Sequence, residues 1–181
     1  MAALARQSLA TLDSKETRVV TRRFIASSQR HMKNIVKTIQ LNSEAETREF
    51  ALALADELKP GDVLALVGDL GTGKTALTRY IAEGLGVKER VNSPTFTIVK
   101  EYNSGRIPLY HFDVYRLVEN NEFEDVSDAL YNIGADEYFY GRGVSVIEWA
   151  DLIETELPET AEFIYIEYGK NEGERTYRCT F

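Results

Sequence analysis

The sequence predicts an α/β domain whose central sheet mixes parallel and antiparallel strands. Residues 62–67 form an apolar run between turn residues, which is typical of a strand covered on both faces in a parallel sheet. A glycine-rich loop over 68–75 follows directly, and a helical segment over 75–85 follows the loop. Two alternating segments, 95–102 and 107–114, flank an Asn-Ser-Gly turn signal and predict an antiparallel hairpin.

A strand and a capped helix precede this unit. The β-branched segment 35–41 alternates with polar residues and predicts a strand. Ser43 supplies a helix N-cap, and Glu46 three residues later completes the pattern of a capping box. The helix continues with an Ala-rich apolar pattern to Leu58 and is closed by a Pro-Gly pair.

The second half of the chain predicts one more helix and three more strands. An acidic helix is predicted over 119–131, and a short buried strand over 144–147 ends in Glu148. The segments 163–168 and 175–181 predict two strands around a polar turn that contains glycine. Alternating strands and helices of this kind predict a three-layer domain with helices on the sheet.

Composition excludes several classes of protein. The chain has 181 residues, of which 44% are apolar and 28% charged, so it suits one globular domain. No apolar run approaches the roughly 20 residues of a membrane-spanning helix. The single cysteine, Cys179, and the lack of zinc-type Cys/His spacing predict no structural metal and favour the cytoplasm. The net charge of −8 disfavours broad nucleic-acid binding by the folded domain and permits a basic protein partner.

The first 31 residues differ from the rest of the chain. They carry six basic and two acidic side chains and little apolar periodicity. This composition predicts a disordered tail or an extension left by cloning. A transit peptide rich in Arg and Ser and a nucleic-acid-binding arm are the alternatives. Residues 32–181 are predicted to form a single domain.

The loop over 68–75 matches the spacing G-x-x-x-x-G-K-[ST] without a mismatch. Its glycines allow positive φ angles, so that successive N–H groups point at an anion beside the positive end of the following helix. The Lys74 ammonium is predicted between the β- and γ-phosphates, and the Thr75 hydroxyl on Mg²⁺. The sequence thus predicts a P-loop NTPase-like domain that binds ATP with Mg²⁺. The loop residues predicted to contact the nucleotide are Asp69, Leu70, Gly71, Thr72, Gly73, Lys74 and Thr75.

Such a loop also needs an acid that anchors the metal at the end of a neighbouring strand. Glu148 and Asp113 both end or nearly end a predicted strand, so both are candidates. The Ser-Pro-Thr segment ending at Thr95 lies where NTPases carry a switch that senses the γ-phosphate, with an ordinary Ser-Pro turn as the alternative. Core packing is the simpler expectation for Trp149 and for His111, with a catalytic base as the alternative for His111.

Four motifs in this order resemble the TsaE (YjeE) family of small bacterial ATPases. They read GDLGTGKT, SPTF, YHFDVYRL and EW, and the resemblance covers about residues 35–181. The resemblance implies a protein that assists synthesis of threonylcarbamoyladenosine at position 37 of tRNAs that read codons starting with A. It also implies binding to the TsaD–TsaB pair, which transfers the carbamoyl group, and an ATPase activity that supports turnover of that pair.

The resemblance further implies roles for single residues. Lys74 and Thr75 match the phosphate and magnesium positions, and Glu148 matches the second acid of the magnesium site. Asp113 matches an acid needed for hydrolysis, through the metal or through the attacking water. Thr95 matches the switch. The expected nucleobase neighbours are Ser43, Glu44 and the turn that ends in Gly173.

Three alternative interpretations of the loop stay open. A small P-loop kinase usually needs an arginine-bearing lid, and the only arginine between residues 117 and 160 is Arg142. A regulatory GTPase would carry an Asn-Lys-x-Asp segment, which this sequence lacks. In a nucleotide-dependent binding module, ATP would order the switch and create a partner surface, and hydrolysis would reset it.

Overall fold

The computed structural model describes residues 34–94, 97–119 and 126–181. Residues 34–181 form one compact unit. The extension predicted over 1–31 and the predicted switch residue Thr95 lie outside the described residues, so both stay predictions. No helix in the described part of the chain is long and apolar enough to cross a membrane.

Seven strands of the described residues form one mixed sheet, which confirms the predicted fold class. They are β1 Lys37–Leu41, β2 Val63–Val67, β3 Val99–Tyr102, β4 Leu109–Asp113, β5 Val144–Glu148, β6 Glu162–Tyr168 and β7 Arg175–Cys179. Their order across the sheet is β1-β7-β6-β2-β5-β4-β3. Four adjacent strands, β6, β2, β5 and β4, are parallel to one another. The pairs β1–β7, β6–β7 and β3–β4 are antiparallel.

Helices cover both faces of this sheet. The helices in the described ranges are α1 Glu44–Glu57, α2 Lys74–Gly84, α3 Tyr115–Glu119, α4 Val126–Asn132, α5 Ala135–Phe139 and a 3₁₀ helix over Ala150–Glu156. Leu64 and Leu66 of β2 join the core on the side of α1 and α2. Val63 and Ala65 join the core on the side of the other helices. Because both faces of β2 are covered, the strand is apolar at successive positions.

The start of α1 follows the predicted capping pattern. The Glu46 backbone N–H donates to Ser43 Oγ at 3.2 Å. The Glu46 carboxylate accepts from the Asn42 backbone N–H at 2.9 Å, one residue before the N-cap rather than on the N-cap amide itself. The helix ends at Glu57, and Leu58 is its extended C-cap.

The structure corrects the predicted start of one strand. β3 begins at Val99 instead of residue 95, because Ile98 has φ 65° and its N–H donates to the Pro94 carbonyl in a turn. Of the helix predicted over 119–131, residue 119 lies in α3 and residues 126–131 lie in α4, while residues 120–125 lie outside the described residues. Local periodicity could not locate the start of β3, because the turn before it is fixed by a backbone hydrogen bond to Pro94.

Candidate nucleotide site

Three parallel strand ends meet beside the glycine-rich loop, residues 68–75. The loop joins the end of β2 to the start of α2. In the strand register, Leu66 of β2 lies opposite Glu148 of β5, and Glu148 lies opposite Asp113 of β4. The topology therefore brings both predicted acids to the carboxyl edge of the sheet, where ligands bind in open α/β sheets.

Glycine is required at two points of the loop. Gly73 is the N-cap of α2 with φ 107°, a left-handed conformation that other residues rarely adopt. Gly68 passes so close to β6 that a Cβ there would lie 2.4 Å from the Ile166 carbonyl oxygen. The chain can therefore turn directly into α2, whose first N–H groups lack helical partners and carry the positive end of the helix dipole.

Lys74 is buried beneath the loop, with only 4% of its surface exposed. Its ammonium donates to the carbonyl oxygens of Gly68 at 2.6 Å and Asp69 at 2.9 Å. It also lies 3.7 Å from the centre of the Trp149 ring, a cation–π contact. Burial lowers the pKa of Lys74, while nearby carboxylates, Glu148 first among them, oppose that shift. Trp149 is a core residue, as expected, and it also contacts the loop lysine.

A hydrogen-bonded chain runs from the loop into the core. Thr75 Oγ1 donates to Glu148 Oε2 at 2.8 Å, and His111 Nε2 lies 2.7 Å from Glu148 Oε1. Glu148 is 3% exposed and His111 is fully buried. His111 Nδ1 has no hydrogen-bond partner among the residues that the structure describes. We assign a proton to Nε2, because the carboxylate oxygen that it faces can only accept a hydrogen bond.

Asp113 is buried beside Glu148, and its contacts include two hydrogen-bond donors. Ser93 Oγ donates to Asp113 Oδ2 at 2.6 Å, and the Tyr115 backbone N–H donates to Oδ1 at 3.3 Å. Ser93 belongs to the same Ser-Pro-Thr segment as Thr95, which is not among the described residues. The sequence pointed to this segment but not to Ser93 as the residue that contacts the acid.

The hairpin formed by β6 and β7 contacts the glycine-rich loop from its other side. The Tyr168 hydroxyl donates to the Leu70 carbonyl at 2.6 Å, and Arg175 Nε donates to the Thr72 carbonyl at 2.8 Å. The Arg175 guanidinium lies 4.8 Å from the Tyr168 ring centre. Neither residue was predicted as part of the site, because each acts on a carbonyl about 100 positions away in the chain.

The predicted nucleobase neighbours lie near one another. Ser43 is the half-buried N-cap of α1, and the exposed Glu44 accepts a short hydrogen bond from the Tyr80 hydroxyl of α2. Gly173, with φ 87°, would place a Cβ 4.0 Å from the Asn42 carbonyl oxygen. The start of α1 and the tip of the β6–β7 hairpin are therefore adjacent.

The residues of this site lie within the part of the chain that matches a known protein family. The family model for "Threonylcarbamoyl adenosine biosynthesis protein TsaE" matches residues 41–177. The tRNA threonylcarbamoyladenosine biosynthesis protein TsaE of Bacillus subtilis is 50% identical over 133 residues, which cover 73% of this chain and 78% of that protein. The protein of the same name from Treponema pallidum is 42% identical over 65% of this chain and 81% of its own length.

A solved structure is similar in fold as well. The crystal structure of Bacillus subtilis YdiB matches with a TM-score of 0.65 and 42% sequence identity. The match covers 81% of this chain and 87% of that one. All four motifs that suggested the family lie within residues 41–177, the span that the family model matches. The resemblance drawn from them is confirmed.

Proposed function

This chain belongs to the TsaE family of threonylcarbamoyl adenosine biosynthesis proteins, and on that premise we propose that it is an ATPase subunit in the threonylcarbamoyladenosine modification of tRNA. The main support for an ATPase is the 2.8 Å hydrogen bond from Thr75 Oγ1 to Glu148 Oε2. It joins the hydroxyl that follows the loop lysine to a buried acid at the end of a neighbouring strand, which is the pairing that a magnesium–nucleotide site requires.

The glycine-rich loop would hold the phosphates of the nucleotide. The N-terminus of α2 provides unpaired N–H groups and the positive end of a dipole. The Lys74 ammonium now contacts two neutral carbonyl oxygens and the Trp149 ring. A charged phosphate oxygen is a stronger acceptor than a carbonyl, so Lys74 can exchange these partners for the phosphates.

Thr75 and Glu148 fit a magnesium ion. Hydroxyl and carboxylate oxygens are hard ligands, and Mg²⁺ at nucleotide sites takes few protein ligands beside water and phosphate oxygens. In the described ranges, no group of three or more His, Cys, Asp or Glu side chains could hold a metal alone. When bound, Mg²⁺ would neutralise charge on the phosphates. His111 would orient the Glu148 carboxylate so that Oε2 stays toward Thr75.

Asp113 would act on the attacking water. Of the two acids, Glu148 bonds to Thr75, which leaves Asp113 for the second role that the sequence suggested. The Ser93 hydroxyl and the Tyr115 N–H fix the orientation of the Asp113 carboxylate. A carboxylate in this position can orient a water and accept its proton, a contribution of about 10²- to 10⁴-fold in rate.

We extend the proposal to the partners TsaD and TsaB, which would carry out the carbamoyl transfer. The net charge of −8 disfavours direct binding of the tRNA backbone by the folded domain. The tRNA would therefore meet this chain through the complex. Hydrolysis would be slow in the isolated protein and would support turnover of the complex.

Two of the three alternatives, the binding module and the kinase, differ in how they fit the structure. A nucleotide-dependent binding module is favoured by the Ser93–Asp113 bond, which links the predicted switch segment to the site. A kinase is disfavoured, because the exposed Arg142 lies just before the amino end of β5, at the opposite edge of the sheet from Glu148.

The test is ATP hydrolysis by the purified protein, alone and then with TsaD, TsaB and tRNA. Slow turnover alone that becomes linked to threonylcarbamoyladenosine formation in the mixture is the expected result. ATP binding without turnover in either setting would favour the binding module. Rapid phosphate transfer to a small acceptor, indifferent to those partners, would replace the proposal with a kinase.

A further inference from the structure

The carbonyl groups of the glycine-rich loop are held in place by donors from several parts of the chain. The Lys74 ammonium donates to the carbonyl oxygens of Gly68 and Asp69, and the Thr72 hydroxyl also donates to the Asp69 carbonyl oxygen, at 2.9 Å. The carbonyls of Leu70 and Thr72 are held from outside the loop, by the β6–β7 hairpin. A loop that binds phosphate through its N–H groups must keep its carbonyl dipoles turned away from the anion.

We propose that Tyr168 and Arg175 are positioning residues that fix the glycine-rich loop in its phosphate-binding conformation before a nucleotide binds. They form a pair, because the two residues are opposite one another in the β6–β7 register and the guanidinium packs on the ring. Together they hold alternate carbonyls, those of Leu70 and Thr72. The role toward ATP rests on the proposed function, whereas the role in ordering the loop does not.

The fit between the pair and the loop is close. A Cβ at Gly71 would lie 2.8 Å from the Tyr168 hydroxyl, so a larger residue at that point would have to displace the Tyr168 side chain. Arg175 is also fixed from its own side, because its Nη1 donates to the Glu174 carbonyl at 2.7 Å. The Leu70 side chain itself is 79% exposed and contributes little packing. The loop tip therefore depends on these backbone hydrogen bonds for its conformation.

Two variants remove the bonds with little loss of packing. Tyr168→Phe removes the hydroxyl and keeps the ring, and Arg175→Gln removes the guanidinium. Arg178→Gln is the matched control, because Arg178 lies on the same strand and pairs with Glu167 at 3.1 Å, away from the loop. Amide hydrogen exchange of residues 69–73 is measured without nucleotide, with the amides of α1 as an internal reference. Binding of ATP with Mg²⁺ is then measured by calorimetry.

Both loop variants are expected to exchange their loop amides about three- to ten-fold faster than the wild type, the effect of one lost hydrogen bond. The α1 amides and the control variant should not change. ATP affinity should fall by a similar factor. Unchanged loop exchange would overturn the proposal, and so would faster exchange with unchanged ATP affinity. If the wild type binds no ATP, the proposed function fails, and the exchange data still decide whether the pair orders the loop.

Discussion

Replacing Glu148 with glutamine should separate the charge of this residue from its place in the hydrogen-bond chain. The carboxylate accepts from Thr75 on one oxygen and from His111 on the other. A glutamine can keep both contacts, because its carbonyl can accept from His111 and its NH₂ can donate to the Thr75 oxygen, whose hydroxyl rotates. The free energy of unfolding should therefore change by no more than about 1 kcal/mol.

Magnesium binding should respond quite differently to the same substitution. Loss of an outer-shell partner of a metal ligand typically lowers metal affinity about 10- to 100-fold, and loss of a ligand carboxylate should cost at least as much. Glu148→Gln also removes the leading carboxylate that opposes the lowered pKa of Lys74. We expect the Mg²⁺ concentration for half-maximal ATP binding to rise at least about 10-fold.

Glu148→Ala provides the contrast. It leaves the Nε2–H of the fully buried His111 without its acceptor, which should cost about 1–3 kcal/mol of stability. Urea unfolding of the three proteins and Mg²⁺ titrations of ATP binding distinguish the two effects. If Glu148→Gln kept the wild-type magnesium dependence while Asp113→Asn lost it, our assignment of the two acids would be reversed.

Two further predictions concern Asp113 and Cys179. Asp113→Asn should keep ATP affinity within a few-fold of the wild type, since an amide can still contact Ser93 and the Tyr115 N–H. The same substitution should lower turnover about 10²- to 10⁴-fold. A loss of binding as large as the loss of turnover would argue against the role of Asp113 in hydrolysis. Burial raises the pKa of the Cys179 thiol to about 11, so a disulfide reagent at pH 8 should label the folded protein far more slowly than the protein in urea. Equal labelling rates for the folded protein and the protein in urea would show that the thiol is not buried. Because folding raises the pKa of the thiol, its protonated form favours the folded state below the ordinary thiol pKa, and this stability is lost as the pH rises toward 11.

Residues of the candidate site that lie in one strand–loop–helix unit or at the end of a strand were recognisable from the sequence. The spacing of the loop placed Lys74 and Thr75, and the apolar run before it identified a strand covered on both faces. Glu148 and Asp113 were recognisable because each ends a strand, and parallel strands bring such ends together.

The remaining site contacts depend on which strands become neighbours. Tyr168 and Arg175 reach the loop only because β6 lies next to β2 and β7 next to β6. The burial of His111 against Glu148 likewise follows from the pairing of β4 with β5. No local period or motif encodes these neighbours, so the contacts of Tyr168 and Arg175 with the loop and of His111 with Glu148 were not predicted.

We expect the glycine-rich loop and Lys74 to bind ATP with Mg²⁺, and calorimetric titration of Lys74→Ala with ATP and Mg²⁺ tests this expectation. Lys100→Ala is the matched control, because Lys100 also lies over an aromatic ring, that of Tyr102, but on the edge strand β3. Charge-assisted bonds contribute about 1.5–3 kcal/mol each, so Lys74→Ala should weaken ATP binding at least about 10-fold, and about 100-fold or more if two phosphates are contacted. Lys100→Ala should bind like the wild type. If Lys74→Ala and the wild type bound ATP with equal affinity, the assignment of Lys74 to the nucleotide site would be wrong.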